Sequence, residues 1–208
     1  MTRHIPNLLT AGRFVLALVL FAVLGAYDGP PRDPEAWPLL DIAMALFLIA
    51  ALTDAVDGYL ARALGHVTTF GRIADPFVDK IVVCGTLAYL IGQQFVVMQP
   101  DGSVENLTGW QPWMVVAIVA RELLVTGMRS FSESHGISFA ATMSGKVKMF
   151  LQCFAIIWTI VYVGHWTDGP AWTRVVRDVL AWGTALFTVF TGLAYIKRAY
   201  QLLRMPPD

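Results

Sequence analysis

The sequence predicts an all-α fold: an integral membrane bundle of six transmembrane helices with both termini cytoplasmic, forming a single domain over residues 1–208. Three observations carry this. Apolar residues make up 56% of the chain and charged residues 14%, against roughly a quarter charged in soluble domains. The apolar residues are gathered into runs near or above the roughly 18–20 residues that cross a bilayer as a helix. Turn-forming clusters and basic residues separate those runs in a one-sided pattern.

The first predicted span is Leu8–Tyr27, ended by Asp28-Gly29-Pro30-Pro31. Arg3 ahead of an apolar stretch imitates a secretory leader, but Ile5-Pro6-Asn7 and the length of the run argue for a retained helix. Asn7 is also a good N-cap for that helix. The second span is Pro38–Ala61 and the third Ile73–Met98, stopped by Pro100-Asp101-Gly102. The fourth is Trp113–Phe131, and the fifth, Met149–Trp166, precedes Asp168-Gly169-Pro170. Val175–Ala199 is the sixth.

Arg3, Arg62, Arg72, Arg129, Lys146, Lys148, Lys197, Arg198 and Arg204 fall at the termini or around the second and fourth loops. The other side carries Arg32 and Arg174, with Arg177 just inside the last span. The positive-inside rule then makes the termini and even-numbered loops cytoplasmic. Trp37, Trp110, Trp113, Trp166 and Trp172 gather on the far side, as an interfacial aromatic belt would. A net charge of zero gives no reason to expect nucleic acid as a partner. Cys84 and Cys153, far apart in apolar runs, read as buried inert thiols.

Chemistry enters at the cytoplasmic ends of spans two and three. Asp54 and Asp57 are three apart and Asp75 and Asp79 four apart, so each pair shares a helix face. Carboxylates in a membrane segment are costly, and four converging ones repel unless a cation sits among them. Solvated helix ends, or pairing with Arg62, Arg72 and Lys80, would account for any single aspartate but poorly for all four. Hard oxygen donors suit Mg²⁺ or Mn²⁺, and four carboxylates suffice for two divalent cations with one bridging group. Gly58, Ala61 and Gly71 leave room for close approach of a backbone or phosphate. Arg62 adds a planar cation suited to a diphosphate oxygen.

The stretch Asp54-x2-Asp57-Gly58-x2-Ala61-Arg62-x8-Gly71-x3-Asp75-x3-Asp79 resembles the signature of the CDP-alcohol phosphatidyltransferases. The resemblance implies that Asp54, Asp57, Asp75 and Asp79 bind two divalent ions that hold a CDP-lipid diphosphate. It further implies that Asp79 is the general base, and that Gly58, Ala61, Arg62, Gly71 and Thr68 line the CDP-lipid site. Ile5-Pro6-Asn7-Leu8-Leu9-Thr10 is similar to a Pro-Asn-x-x-Thr segment of the family near the cytidine, which adds Asn7 and Thr10. A homodimer is implied by the resemblance alone. The histidines, His4, His66, His135 and His165, are scattered, so a one-step displacement is expected rather than a covalent intermediate.

The acceptor is read from spans four and five. Arg121, Glu122, Arg129, Lys146 and Lys148 exceed what a plain anchor needs, although any one lysine could simply snorkel. Arg121 and Glu122, well inside the span, are expected to pair with each other's neighbours or to line a cavity. Lys146 and Lys148, two apart, point to nearly opposite faces of a helix. Together these residues favour an acceptor carrying a phosphate. Ala120-Arg121-Glu122, Arg129-Ser130 and Gly145-Lys146-Val147-Lys148 resemble stretches of the bacterial phosphatidylglycerophosphate synthases of that family. That likeness implies CDP-diacylglycerol and sn-glycerol 3-phosphate as substrates in a bacterial-type inner membrane, and the positive-inside reading independently puts the aspartates on its cytoplasmic side. Arg129, Lys146 and Lys148 are the first choices for the acceptor phosphate, with Arg121 and Thr126 next. Other acceptors (inositol phosphate, serine, phosphatidylglycerol) remain the alternative. A divalent-cation transporter is remote, because the acids lie toward one face and no internal repeat is present.

Overall fold

The computed structural model describes the backbone of residues 5–28, 37–64, 69–98, 101–134 and 143–203, with side chains over 11–28, 38–53, 77–78, 80–98, 101–132 and 145–197. Within them run six long helices: α1 (Ile5–Gly25), α2 (Trp37–Leu64), α3 (Thr69–Leu90), α4 (Pro112–Ser134), α5 (Met143–Val161) and α6 (Ala171–Leu203). A π-helical turn, Tyr162–Trp166, extends α5. Helix α1 packs on α2 and α3, while α4 and α5 both pack on α6 and on α3, and α2 closes against α5.

The helices meet through faces at three- and four-residue spacing. Ala17, Leu20 and Leu24 of α1 and Leu40, Ala43, Phe47 and Ala50 of α2 are buried, and Ala181 and Ala185 continue the core on α6. Small residues set how closely the backbones approach. Gly85 shows it most sharply: a Cβ there would lie 2.1 Å from Cζ of Phe21, whose ring stacks on Tyr89 at 5.5 Å.

Outward faces carry many large apolar side chains. Phe150, Phe190 and Val116 are 74%, 72% and 67% exposed, far more apolar surface than water tolerates in a monomer. Gly145–Trp166 and Ala171–Lys197 are long and apolar enough to cross a membrane, and Ala11–Gly25, Pro38–Thr53 and Lys80–Leu90 are shorter apolar helices. The chain is therefore a membrane-associated, essentially all-α protein.

One element departs from expectation. The third helix ends at Leu90 rather than Met98, and the chain continues through a 3₁₀ turn, Gln93–Phe95, into a hairpin of β1 (Val96–Met98) and β2 (Val104–Asn106). The strands pair antiparallel, Val97 opposite Glu105. The reason lies in the cap: Thr108 Oγ1 and Asn106 Nδ2 donate to the Leu90 carbonyl at 2.8 and 3.4 Å, satisfying a helix-end acceptor. Gly102, at φ +81°, makes the hairpin turn. There the Ser103 hydroxyl and amide donate to the Asp101 carboxylate at 2.6 and 2.9 Å, holding its pKa below the usual aspartate value. Trp110, expected in the interfacial belt, is instead buried, with its Nε1 donating to Thr159 Oγ1 at 3.1 Å. Trp158, Trp166 and Trp172 form a mutual cluster with ring centroids 5.2–6.1 Å apart.

Arg177 clamps the hairpin to α6. It is 3% exposed, gives Nη1 to the Leu107 carbonyl at 2.7 Å, and directs Nε and Nη2 at Asp178 Oδ1 at 2.8 and 2.6 Å. Its cation also lies 4.9 Å from the Tyr162 ring centroid. Its Nη2 also lies 3.7 Å from the Glu105 carboxylate; Asp178 and Glu105 are partly solvated, which discounts both ion pairs, but losing the Leu107 bond strands a buried carbonyl. Arg177→Met is expected to destabilise the fold by about 2 kcal/mol. Thermal unfolding in detergent checks this, the expected result being a melting temperature lower by several degrees.

Candidate active site

Asp54, Asp57, Gly58, Ala61 and Arg62 lie on the unbroken helix α2, and Gly71, Asp75 and Asp79 on the unbroken helix α3. Their side chains lie outside the described residues, as do those of Asn7 and Thr10 on α1, and Thr68 lies outside them altogether. The backbone nonetheless has consequences. Continuous helix through each pair puts Asp54 with Asp57, and Asp75 with Asp79, on one face apiece. Four residues separate the two helices, so their facing ends lie within roughly 18 Å of each other. Among the described residues no group of three or more histidine, cysteine or acidic side chains is placed to hold a metal. The aspartate quartet, all hard oxygen donors, has the chemistry for Mg²⁺ or Mn²⁺.

The second constellation is described in full. Glu122 of α4 accepts from two cations at one oxygen, Oε1: Lys148 Nζ of α5 and Arg121 Nη1, the latter at 3.2 Å. Lys148 is 4% exposed and Arg121 8%. Because α4 and α5 both pack on α3 and α6, this pair bridges the space those helices enclose. Arg121 lies along α6, where a Cβ on Gly192 would stand 3.0 Å from its Cγ, and its guanidinium sits 5.1 Å from the Tyr195 ring centroid. Glu122 and Lys148 also lie within electrostatic range of Cys84 on α3. Cys84 is five residues beyond Asp79, about 7.5 Å along the helix axis. The cluster is thereby tied to the helix that carries two of the four aspartates.

Of the residues read as acceptor ligands, the structure brings Arg121 and Lys148 together at Glu122. Thr126, half-buried one turn on, donates its hydroxyl to the Glu122 carbonyl at 2.8 Å. Arg129 and Lys146 are exposed. Lys146 and Lys148 thus differ sharply in environment, as two positions on opposite helix faces should.

Several buried polar groups escaped the sequence reading. Arg13 of α1 is 4% exposed and lines a small cavity with Phe47, Ala50, Val82, Met149 and Cys153. An arginine inside an apolar run was the available signal. Gln152 (2% exposed), Thr184 and Thr188 are buried with Gln152 Nε2 and both threonine hydroxyls unpartnered. Gln152 stands one turn from Lys148, and Thr188 one turn from Gly192, both at the four-residue spacing of a shared face. A cleft of about 570 Å³ lined by Tyr27, Asp28, Tyr89, Gln93 and Gln94 opens at the ends of α1 and α3 remote from the aspartates. Ten residues of helix, about 15 Å, separate Tyr89 from Asp79, so this cleft is not part of the carboxylate site.

The chain is similar over most of its length to known proteins. Residues 3–190 match the family described as CDP-alcohol phosphatidyltransferase. The chain is 32% identical over 205 residues to the CDP-diacylglycerol–glycerol-3-phosphate 3-phosphatidyltransferase of Bacillus subtilis, covering 97% of each protein. It is 30% identical over 195 residues to the protein of the same name from Rickettsia felis, covering 94% of each. Similarity to a probable phosphatidylglycerophosphate synthase of Mycobacterium tuberculosis is 32% over 197 residues, covering 94% of this chain and 81% of that one.

Proposed function

The chain belongs to the CDP-alcohol phosphatidyltransferase family, enzymes that transfer a phosphatidyl group from a CDP-lipid, and from that premise we propose that its acceptor is sn-glycerol 3-phosphate. The reaction is then CDP-diacylglycerol plus sn-glycerol 3-phosphate giving phosphatidylglycerophosphate and CMP. The observation that carries the acceptor is the buried pair of cations, Arg121 and Lys148, facing one carboxylate. Serine brings no phosphate for them to hold, whereas glycerol 3-phosphate does. The names of the Bacillus and Rickettsia relatives point the same way.

In this reading Asp54, Asp57, Asp75 and Asp79 hold two divalent cations, Mg²⁺ or Mn²⁺. When bound, the ions supply charge neutralisation at the diphosphate and at the departing CMP. Gly58, Ala61 and Gly71 let the diphosphate approach the helices, and Arg62 and Thr68 contact it. The segment carrying Asn7 and Thr10 serves the cytidine end of the CDP-lipid site. Asp79 takes the proton from the acceptor hydroxyl. That oxygen forms a bond to the phosphorus bearing the diacylglycerol, the bond from this phosphorus to the CMP oxygen breaks, and CMP leaves with the electron pair. Six helices span the membrane, both termini are cytoplasmic, and the site faces the cytoplasm of a bacterial inner membrane, where nucleotide-activated lipid is available. The enzyme works as a homodimer.

The test is CMP release by the purified chain in detergent with CDP-diacylglycerol and Mg²⁺ or Mn²⁺, across glycerol 3-phosphate, inositol phosphate, serine and phosphatidylglycerol. Release with glycerol 3-phosphate is expected; release with another acceptor alone would keep the chemistry and overturn the acceptor. Arg129 is exposed, so it steers and holds the phosphate in partly solvated surroundings. Arg129→Ala is expected to raise the acceptor KM about three- to tenfold with little change in kcat, read from initial rates.

A further inference from the structure

The side-on edge of the Arg121 guanidinium carries no partner. Arg121 meets Glu122 through Nη1, while Nε and Nη2 are buried and unpartnered. These two nitrogens form the edge that grips two oxygens of one anion in parallel. The same chain shows that edge in use: Arg177 turns its Nε and Nη2 onto Asp178 and leaves Nη1 for a carbonyl. In Arg121 the arrangement is reversed, with the single nitrogen anchored and the buried two-donor edge left without an acceptor. Gln152 Nε2, one turn from Lys148 on α5, is likewise buried and unpartnered. Buried donors left without acceptors are destabilising, so two such groups beside a buried cation mark a place for an anion.

Glu122 is what arranges this. One oxygen holds both Lys148 Nζ and Arg121 Nη1, and the Glu122 carbonyl takes the Thr126 hydroxyl. We propose that Glu122 is a positioning residue of the acceptor site: its carboxylate fixes Lys148 and Arg121 so that the unpartnered guanidinium edge, the ammonium and Gln152 serve the phosphate monoester of the acceptor. This rests on the function proposed above. It adds that an acidic residue, unsuited to touching an anionic acceptor, builds the pocket that binds it. With three charges, two positive and one negative, the cluster keeps one net positive charge, matched to a phosphate rather than to a neutral alcohol.

Two measurements on the full chain in detergent test it. In steady-state rates, Glu122→Gln keeps the size but loses the charge, so the acceptor KM is expected to rise about tenfold, with kcat and the KM for CDP-diacylglycerol within about twofold. Glu122→Asp, which keeps the charge on a shorter arm, is expected to recover part of the loss. An unchanged acceptor KM in folded Glu122→Gln overturns the proposal. A lowered KM also overturns it, because Glu122 would then be competing with the acceptor for the cations. The second measurement needs no turnover: inorganic phosphate is expected to raise the melting temperature of the wild-type chain and to do so far less for Glu122→Gln. Equal stabilisation of both overturns the positioning role. A wild-type chain that is stabilised by phosphate but does not use glycerol 3-phosphate overturns the acceptor reading while leaving the phosphate pocket standing.

Discussion

Replacing Asp79 by asparagine is expected to abolish turnover, with a fall in kcat of at least about a thousandfold. The substitution is nearly isosteric, so the fold is retained, but an amide neither takes the hydroxyl proton nor offers an anionic oxygen to a cation. Both losses act on the chemical step rather than on acceptor binding. The expected pattern is therefore a collapse in kcat with little change in the acceptor KM, where residual turnover permits its measurement. CMP release by the purified variant is the check. Wild-type turnover in Asp79→Asn would remove this residue from the mechanism.

Lys148→Met carries the second large effect. Lys148 is 4% exposed and its ammonium is bonded to Glu122, so the substitution takes away a buried cation and leaves Arg121 alone to offset the carboxylate. Breaking a buried pair by deleting one partner costs about 3–5 kcal/mol when the other charge is stranded; the remaining Arg121 contact lowers that to about 2. The binding loss is larger in its consequence, because a buried ammonium–phosphate contact contributes about 2–3 kcal/mol. The acceptor KM is thus expected to rise roughly thirty- to hundredfold, read from initial rates against glycerol 3-phosphate. Lys148→Arg should restore much of it. An unaltered KM in Lys148→Met would exclude this lysine from the acceptor site.

These two residues were legible in the sequence for different reasons. Asp79 belongs to a local pattern: spacings of three and four within helices need no knowledge of packing, so the pairs Asp54–Asp57 and Asp75–Asp79 announce shared faces directly. Lys148 was legible as a charge out of place in an apolar run. That it joins Glu122, twenty-six residues away, depends on how α4 and α5 straddle α3 and α6. The same limit applied to Gln152 and Thr188. A lone polar side chain in a membrane helix is ordinary in sequence, and only burial without a partner makes it informative. Arg13 was as visible as Lys148 but stood apart from any motif.

The helices themselves were legible because a bilayer leaves the backbone few options besides hydrogen-bonding to itself. What hydropathy could not locate was the end of the third. Val96-Val97-Met98 continues the apolar run, yet Asn106 and Thr108 cap Leu90 from beyond the turn and the three residues pair as a strand instead. Trp110 shows the companion limit: its position near a helix start reads as interfacial, but the hydrogen bond to Thr159 draws it into the core.

The central claim, transfer of a phosphatidyl group to a phosphorylated acceptor, is tested most directly by following the acceptor's own phosphorus. The purified chain would be incubated with CDP-diacylglycerol, Mg²⁺ or Mn²⁺ and glycerol 3-phosphate labelled with ³²P, and the label in the lipid extract compared with CMP released. Equimolar label in lipid and CMP in solution is the predicted result. CMP release with no label in the lipid would contradict the account.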